Sequence, residues 1–245
     1  MIEAVEPMRK MKGSGSYLKN QVRKNLAKAA FSLFLFCLVL IAVGALALYT
    51  SISYVYDGAA LAVSLAPLGL FYYYLRKYRI YNAGLTGEQQ VAKLLNSKLS
   101  DDYFLLNDLS FGNGGGDIDH IILGPSGVFV LETKNWSGEI ICHGDEWTRT
   151  GKRSFKGSPS LQVKRNAARI KRVIDSAQFL KALDIQVEGV VVFTNKHANL
   201  RLNYPTVPIL KLPQLPQWVQ TERNGKTYSQ PQLETIGKEI LKQRS

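Results

Sequence analysis

Cysteine is nearly absent: the 245 residues contain two, Cys37 and Cys142, far apart and in unlike surroundings. That excludes a disulfide scaffold and a Cys-rich zinc module, and it suits a reducing compartment. Histidine is as scarce, and the spacing of His120, His143 and His197 builds no zinc site. No G-x-S-x-G elbow marks a serine hydrolase. Acidic residues are few beside basic ones, 19 against 31, giving a net charge of +12, which favours an anionic partner such as nucleic acid or a lipid surface. The rest of the composition, 46% hydrophobic and 20% charged, is that of a chain that folds. Its length admits one ordinary domain plus an accessory segment.

Charge of either sign is also missing from one long stretch, between Lys28 and Asp57. Within it Ala29–Tyr49 is almost wholly Leu, Ala, Val, Phe and Ile, matching the about 20 apolar residues that cross a bilayer. A second uncharged run, Gly58–Leu75, contains Pro67 and ends in Phe71, Tyr72, Tyr73 and Tyr74 beside Arg76, Lys77 and Arg79. Aromatics followed by basic residues mark the cytoplasmic side of a membrane interface. Seven basic residues from Arg9 to Lys28 precede the first run, and only Asp57 lies between the two. The positive-inside rule therefore predicts a helical hairpin of two transmembrane helices, inserted in the cell membrane through residues 29–75, with both chain ends cytoplasmic. A cleaved signal peptide would have a shorter basic region and no second apolar run. A soluble hairpin would need polar residues at helical spacing, and between Ala29 and Leu48 only Ser32 carries a hydroxyl.

Residues 76–245 keep 24 Lys and Arg against 16 Asp and Glu, so this part is basic in its own right. Thr86 and Gln89 read as a capping box opening a helix with an apolar stripe at Val91, Leu94 and Leu95. Glu88 shares that stripe at i, i+3, i+7 with Val91 and Leu95, either as an inward-facing carboxylate or as a first-turn charge complementing the helix dipole. Tyr103–Asp108 reads as a strand, and Gly112–Gly116 as a flexible turn, since a phosphate-cradling loop would open a helix. Ile118–Leu123 and Val128–Lys134 form a hairpin about the turn Gly124–Gly127. Residues two apart share a strand face, so Glu132 and Lys134 point one way, and the turn brings them opposite Asp119. Two carboxylates and a lysine thus meet at one end of an apolar hairpin. Carboxylates held together repel unless a cation lies between them, and Mg²⁺ takes oxygen ligands while keeping waters that a phosphate can displace. The same three residues also fit an exposed ion pair on a surface hairpin.

Further on, Gly138–Cys142 and Glu146–Thr150 read as short strands, with Trp147 packing inward. A helix from Pro159 to about Lys181 carries an apolar stripe at Val163, Ala167, Ile170, Ile174 and Ala177. Beside it Gln162, Arg165, Arg169 and Arg172 form a polar stripe, suited to successive phosphates or to plain solvation. Val187–Thr194 is the pattern of a buried strand. The tail reads as extended over Tyr204–Pro216 and closes with an amphipathic helix at Leu233, Ile236, Ile240 and Leu241.

At these residues the chain resembles a family. Asp119, thirteen residues before Glu132-Thr133-Lys134, is similar to the D-x(n)-ExK signature of the PD-(D/E)xK nuclease superfamily. Thr86-Gly87-Glu88, Asp117-Ile118-Asp119-His120, Gly127-Val128-Phe129, Glu132-Thr133-Lys134-Asn135 with Gly138, and Trp147 together resemble the nuclease-related domain, NERD, over roughly residues 82–200. The resemblance implies an α/β fold with a restriction-endonuclease-like α-β-β-β-α-β core, a mixed sheet flanked by helices, here preceded by two transmembrane helices. It implies that Asp119 and Glu132 hold Mg²⁺, with Mn²⁺ as a substitute, and that the Thr133 carbonyl adds a ligand. Lys134 would be the catalytic lysine, Glu88 would support the metal, and Gln162 would be the polar residue beside the lysine. Ile118 stands where the superfamily's name has proline, which leaves Asp117 as a rival or auxiliary ligand. The expected division is a basic leader 1–28, a membrane hairpin 29–75, a linker 76–85, a nuclease-like domain 86–200 and an extension 201–245. The expected activity is hydrolysis of DNA, ahead of RNA, with Arg165 and Arg169 on the nucleic acid. The alternative is a non-catalytic module of the same fold that tethers nucleic acid to the membrane or scaffolds a partner.

Overall fold

The computed structural model describes residues 8–11, 17–49, 54–111, 117–150, 157–221 and 225–243; the glycine-rich turn at Gly112–Gly116 lies outside them. The chain divides into two compact units, Ser16–Leu85 and a second that joins Met1–Gly15 to Thr86–Ser245.

The first unit contains α1 (Tyr17–Tyr49) and the part of α2 (Tyr54–Lys98) that ends at Leu85. Gly84 faces Leu18, and the Lys28 ammonium lies 5.3 Å from the centre of the Tyr74 ring. Contacts that descend along one helix as they ascend the other make the pair antiparallel. Of the two spanning helices the sequence suggests, one is supported: among the described residues Tyr17–Leu46 alone is long and apolar enough to cross a membrane, and little of it is buried. The second apolar run forms part of α2.

Helix α2 also overturns the expected cap. It runs without a break from Tyr54 to Lys98, so Thr86 lies mid-helix and the amides that follow it are not orphaned. A cap motif is a local signal, whereas extending an existing helix adds a hydrogen bond for each residue fixed. Gly84 and Gly87 do not stop it, since each costs only about 1 kcal/mol relative to alanine.

The second unit is built on a six-stranded mixed sheet. Its strands are β1 (Arg9–Met11), β2 (Phe104–Ser110), β3 (Asp117–Gly124), β4 (Gly127–Lys134), β7 (Val187–Phe193) and β9 (Ile209–Lys211), in that spatial order. The β2–β3–β4 pairings are antiparallel, and β1 on β2, β7 on β4 and β9 on β7 are parallel. A separate three-stranded sheet holds β6 (Glu146–Arg149), β5 (Gly138–His143) and β8 (Ala198–Asn203), in that order.

Helices cover both faces of the large sheet. One core joins Leu106, Ile121, Val128 and Val130 to Val163, Ile170 and Ile174 of α3 (Pro159–Ser176) and to Leu233, Ile236 and Ile240 of α6 (Gln230–Lys242). The other joins Leu105, Ile122, Phe129 and Leu131 to Val91 and Leu95 of α2 and to Leu215 and Val219 of α5 (Leu215–Gln220). With both faces covered, the centre of the sheet reads as the uninterrupted run Val128-Phe129-Val130-Leu131. Truncating one of these residues to alanine costs about 2–5 kcal/mol.

Helix α3 begins where expected, at Pro159, with the Ser158 hydroxyl accepting from the Leu161 amide at 3.2 Å. It ends early, at Ser176, because Ala177 turns to extended backbone before the short α4 (Gln178–Lys181). The tail expected to be extended forms β9, a 3-10 turn over Leu212–Gln214 and α5.

Candidate active site

The site lies where two strands part. The β3–β4 ladder closes at His120 opposite Leu131, and Asp119 and Glu132 would be its next pair. Instead β3 stays with β2 through Ile118 and Asp117, while β4 carries on along β7 through Glu132, Thr133 and Lys134. Asp119 and Glu132 therefore flank a fork. The Thr133 amide ties it by donating to Asp119 Oδ2 at 2.6 Å. The strand alternation that sends Val128 and Val130 toward α3 carries Glu132 and Lys134 to the same face.

Glu132 is 2% exposed. Its Oε1 accepts from the Lys134 ammonium, and its Oε2 is buried without a hydrogen-bond partner. Burial pushes its carboxyl up, against the charges of Lys134 and Arg165. Asp119 is likewise raised, by burial and then by the Glu132 charge, with Lys134 and the Thr133 amide opposing. Glu88 reaches the same cluster from α2. Its carboxyl is pushed up to about 9 by burial, by the charges of Asp119 and Asp108, by a side-chain hydrogen bond with Asp108 and by Glu132. The inward-facing reading of Glu88 is the one the structure supports.

Gly87 makes that reach possible. A Cβ there would lie 2.9 Å from Thr194 Oγ1 and 3.2 Å from the Asn135 Cβ, so only glycine lets α2 come this close to the ends of β4 and β7.

The structure gathers some of the expected residues and leaves others aside. Glu88, Asp119, Glu132, Thr133 and Lys134 converge. Arg165, exposed on α3, acts on Glu132. Arg169 lies over the Phe111 ring at 5.7 Å. Arg172 donates to the Ala168 carbonyl of its own helix at 3.4 Å. Gln162 is half-buried in the first turn of α3. Asp117 is not among the leading influences on Glu88 or Asp119.

Asp108 is the residue that sequence reasoning missed. It takes φ 50 inside β2 and stands across from Asp119, between the pairs Asn107–His120 and Leu109–Ile118. His120 is turned to the other face, with Nδ1 2.7 Å from Asn107 Oδ1, and burial lowers it to about 4.

The donor set suits a hard divalent cation. Carboxylate oxygens predominate, and Glu132 Oε2 is a buried acceptor that a cation would satisfy. Among the described residues no group of three or more His, Cys, Asp and Glu side chains forms a ready-made cage. Mg²⁺ does not need one, because it keeps several waters and binds through one or two carboxylates plus substrate phosphate.

A mixed sheet carrying carboxylates and a lysine at a strand fork agrees with the nuclease resemblance read from the sequence. Residues 83–194 match the family model of the nuclease-related domain, NERD, so a nuclease-related domain occupies that span. It contains each residue of the cluster. An uncharacterized protein of Bacillus anthracis is 37% identical over 73 residues, 27% of this chain and 34% of the relative. The chain thus spans about a third of that relative's length. No solved structure matches.

Proposed function

We propose that the unit built around residues 83–194 is a divalent-metal-dependent phosphodiester hydrolase acting on DNA ahead of RNA. The observation that carries this reading is Lys134, clamped on the buried Glu132 beside Asp119, with Glu132 Oε2 left without a partner. Asp119 and Glu132 would hold Mg²⁺ or Mn²⁺, with the Thr133 carbonyl as a further ligand. The ion would polarise the phosphoryl oxygen and lower the pKa of a bound water.

The protein's own groups do the rest. The Lys134 ammonium, fixed by Glu132, holds the attacking water and offsets the negative charge that develops at phosphorus. Glu88 braces the cluster from α2. Gln162 stands near the start of α3 as a polar contact for the strand, and Arg165 and Arg169 neutralise flanking phosphates.

The apolar α1 supports a membrane anchor as part of this function. Met8–Met11, ahead of α1, and Thr86 onward, within α2, belong to one compact unit, since β1 pairs with β2. A chain whose two ends fold together cannot cross a bilayer once. If α1 inserts, the chain returns through the second apolar run, as a hairpin over residues 29–75 with both ends cytoplasmic. Reporter enzymes fused at either end test this, and signals on opposite sides would refute it.

The activity is tested with the full chain in detergent, given Mg²⁺ and single-stranded, double-stranded and branched DNA, beside Glu132→Ala. Cleavage lost in the variant supports the hydrolase. Salt-sensitive binding without cleavage in either protein would replace it with a membrane-tethered nucleic-acid-binding module.

A further inference from the structure

The first unit carries seven basic residues, and its sole carboxylate is Asp57. Along α2 that carboxylate lies about 28 Å from Arg76, far beyond the about 8–10 Å over which salt lets exposed charges act on one another. The basic residues have no counter-charge of their own.

Helix pairing gathers six of them into one layer. Arg23, Lys24 and Lys28 stand on α1, and Arg76, Lys77 and Arg79 on α2. The contacts of Leu18 with Gly84 and of Lys28 with Tyr74 are ten residues apart on each helix, so Arg23 comes level with Arg79. Arg76 and Lys77 then fall between the levels of Lys24 and Lys28. At about 1.5 Å per residue the layer is about 8 Å deep. All six are exposed except Lys77, which is half-buried with its ammonium 4.6 Å from the centre of the Tyr73 ring. Lys24 and Lys28 stand at i,i+4 and Arg76 and Arg79 at i,i+3, spacings at which like charges destabilise a helix. An anion seated between them would offset that cost.

The apolar neighbours select the anion. Leu26, Tyr73 and Ile80 are exposed in and beside the same layer, on a helix pair whose Tyr17–Leu46 is long and apolar enough to cross a membrane. Nucleic acid offers phosphate without an apolar half. A phospholipid offers both, in a headgroup layer about 5–8 Å deep on each side of the bilayer.

We propose that these six residues form a binding surface for anionic phospholipid headgroups, which fixes the depth of the helix pair and draws the protein to anionic membrane. The inference rests on the reading of residues 29–75 as a membrane hairpin.

The test reads lipid selectivity and needs no turnover. The full chain is reconstituted into phosphatidylcholine vesicles holding a trace of spin-labelled phosphatidylglycerol or of spin-labelled phosphatidylcholine. Electron paramagnetic resonance then gives the fraction of each label that the protein immobilises. Wild type prefers the anionic label by about fivefold or more in dilute salt, the factor that one cation near a charged surface supplies, and the preference shrinks as salt rises. Arg23→Gln with Arg79→Gln reduces it, and Lys24→Gln with Lys28→Gln gives a second reading should the first variant fail to insert. Equal immobilisation of both labels by wild type, or an unchanged preference in both variants, overturns the lipid surface and leaves the hairpin standing. Immobilisation of neither label overturns the hairpin and the surface with it. Loss of DNA binding in the variants with lipid preference intact assigns the cations to nucleic acid and overturns the proposal.

Discussion

Replacing Lys134 by alanine separates the lysine's chemical contribution from its structural one. Glu132 is 2% exposed and gives Oε1 to the lysine, so the variant leaves a buried carboxylate with Arg165 as its remaining positive influence. Breaking a buried pair from one side costs about 3–5 kcal/mol if the orphaned charge persists. Here the carboxyl has an escape, because burial already raises it and taking up a proton removes the penalty. An acid raised in the folded state binds more protons than the unfolded chain does. Stability therefore falls as pH rises from the ordinary carboxylate range toward the folded value.

Both proteins show this decline, and without Lys134 the folded value lies higher and the decline continues further. The gap between them is small in the ordinary carboxylate range and widens as pH rises above it, to no more than about 3 kcal/mol, the ceiling lowered because Lys134 is 19% exposed. Urea unfolding in the presence of a chelator measures it. Trp136, Trp147 and Trp218, the chain's three tryptophans, all report on the unit that holds the site. Cleavage with Mg²⁺, measured alongside, falls by about 10²-fold or more. A gap that stays constant with pH would refute the dependence of Glu132 on Lys134, and wild-type cleavage by the variant would refute the catalytic role.

Changing Arg165 and Arg169 together to alanine weakens DNA binding and flattens the slope of log affinity against log salt by about 2, one per phosphate released; an unchanged slope assigns the stripe to solvent. Gly87→Ala forces a methyl against Thr194 Oγ1 and displaces Glu88, lowering stability by about 1–3 kcal/mol together with cleavage. Adding Thr194→Ala recovers part of both, and a melting temperature equal to wild type in the single variant would show that α2 has room to shift. Asp145 is held below the ordinary carboxylate range by Lys164 and then Thr206, so its contribution is present above that range and lost as pH falls through the depressed value. The unfolding free energy of Asp145→Asn, measured with urea, should therefore lie slightly below wild type near neutral pH, by under about 1 kcal/mol for so exposed a pair, and converge with it in acid.

The placement of Asp119, Glu132 and Lys134 was legible because it depends on two local rules, strand alternation and the register of a tight hairpin. Together these bring Asp119 and Glu132 to either side of the fork just past the last paired residues and put Lys134 on the face of Glu132. Glu88 was legible from its helical stripe, although the helix begins far upstream of the expected cap. Asp108 was not. Its placement needs a left-handed backbone and a partner on the neighbouring strand β3, and neither leaves a periodic mark. The strands β1, β8 and β9 were hidden for a related reason. Each is made a strand by pairing outside its own segment, β1 on β2, β8 on β5 and β9 on β7, so the contacts that define it are absent from its own composition.

Strand β1 also imposes an order of events on the chain. It is synthesised well before its partner β2, which begins 93 residues after Met11. At about 5–20 residues per second, roughly 5–20 s separate the two. During that interval both apolar segments leave the ribosome, and the outer edge of β2, once made, has no neighbour until the leader folds back. Deleting Arg9–Met11, or holding them away with a bulky fusion, would leave that edge open as a template for another chain. Solubility of the purified protein would then depend on three residues outside both the site and the apolar helices.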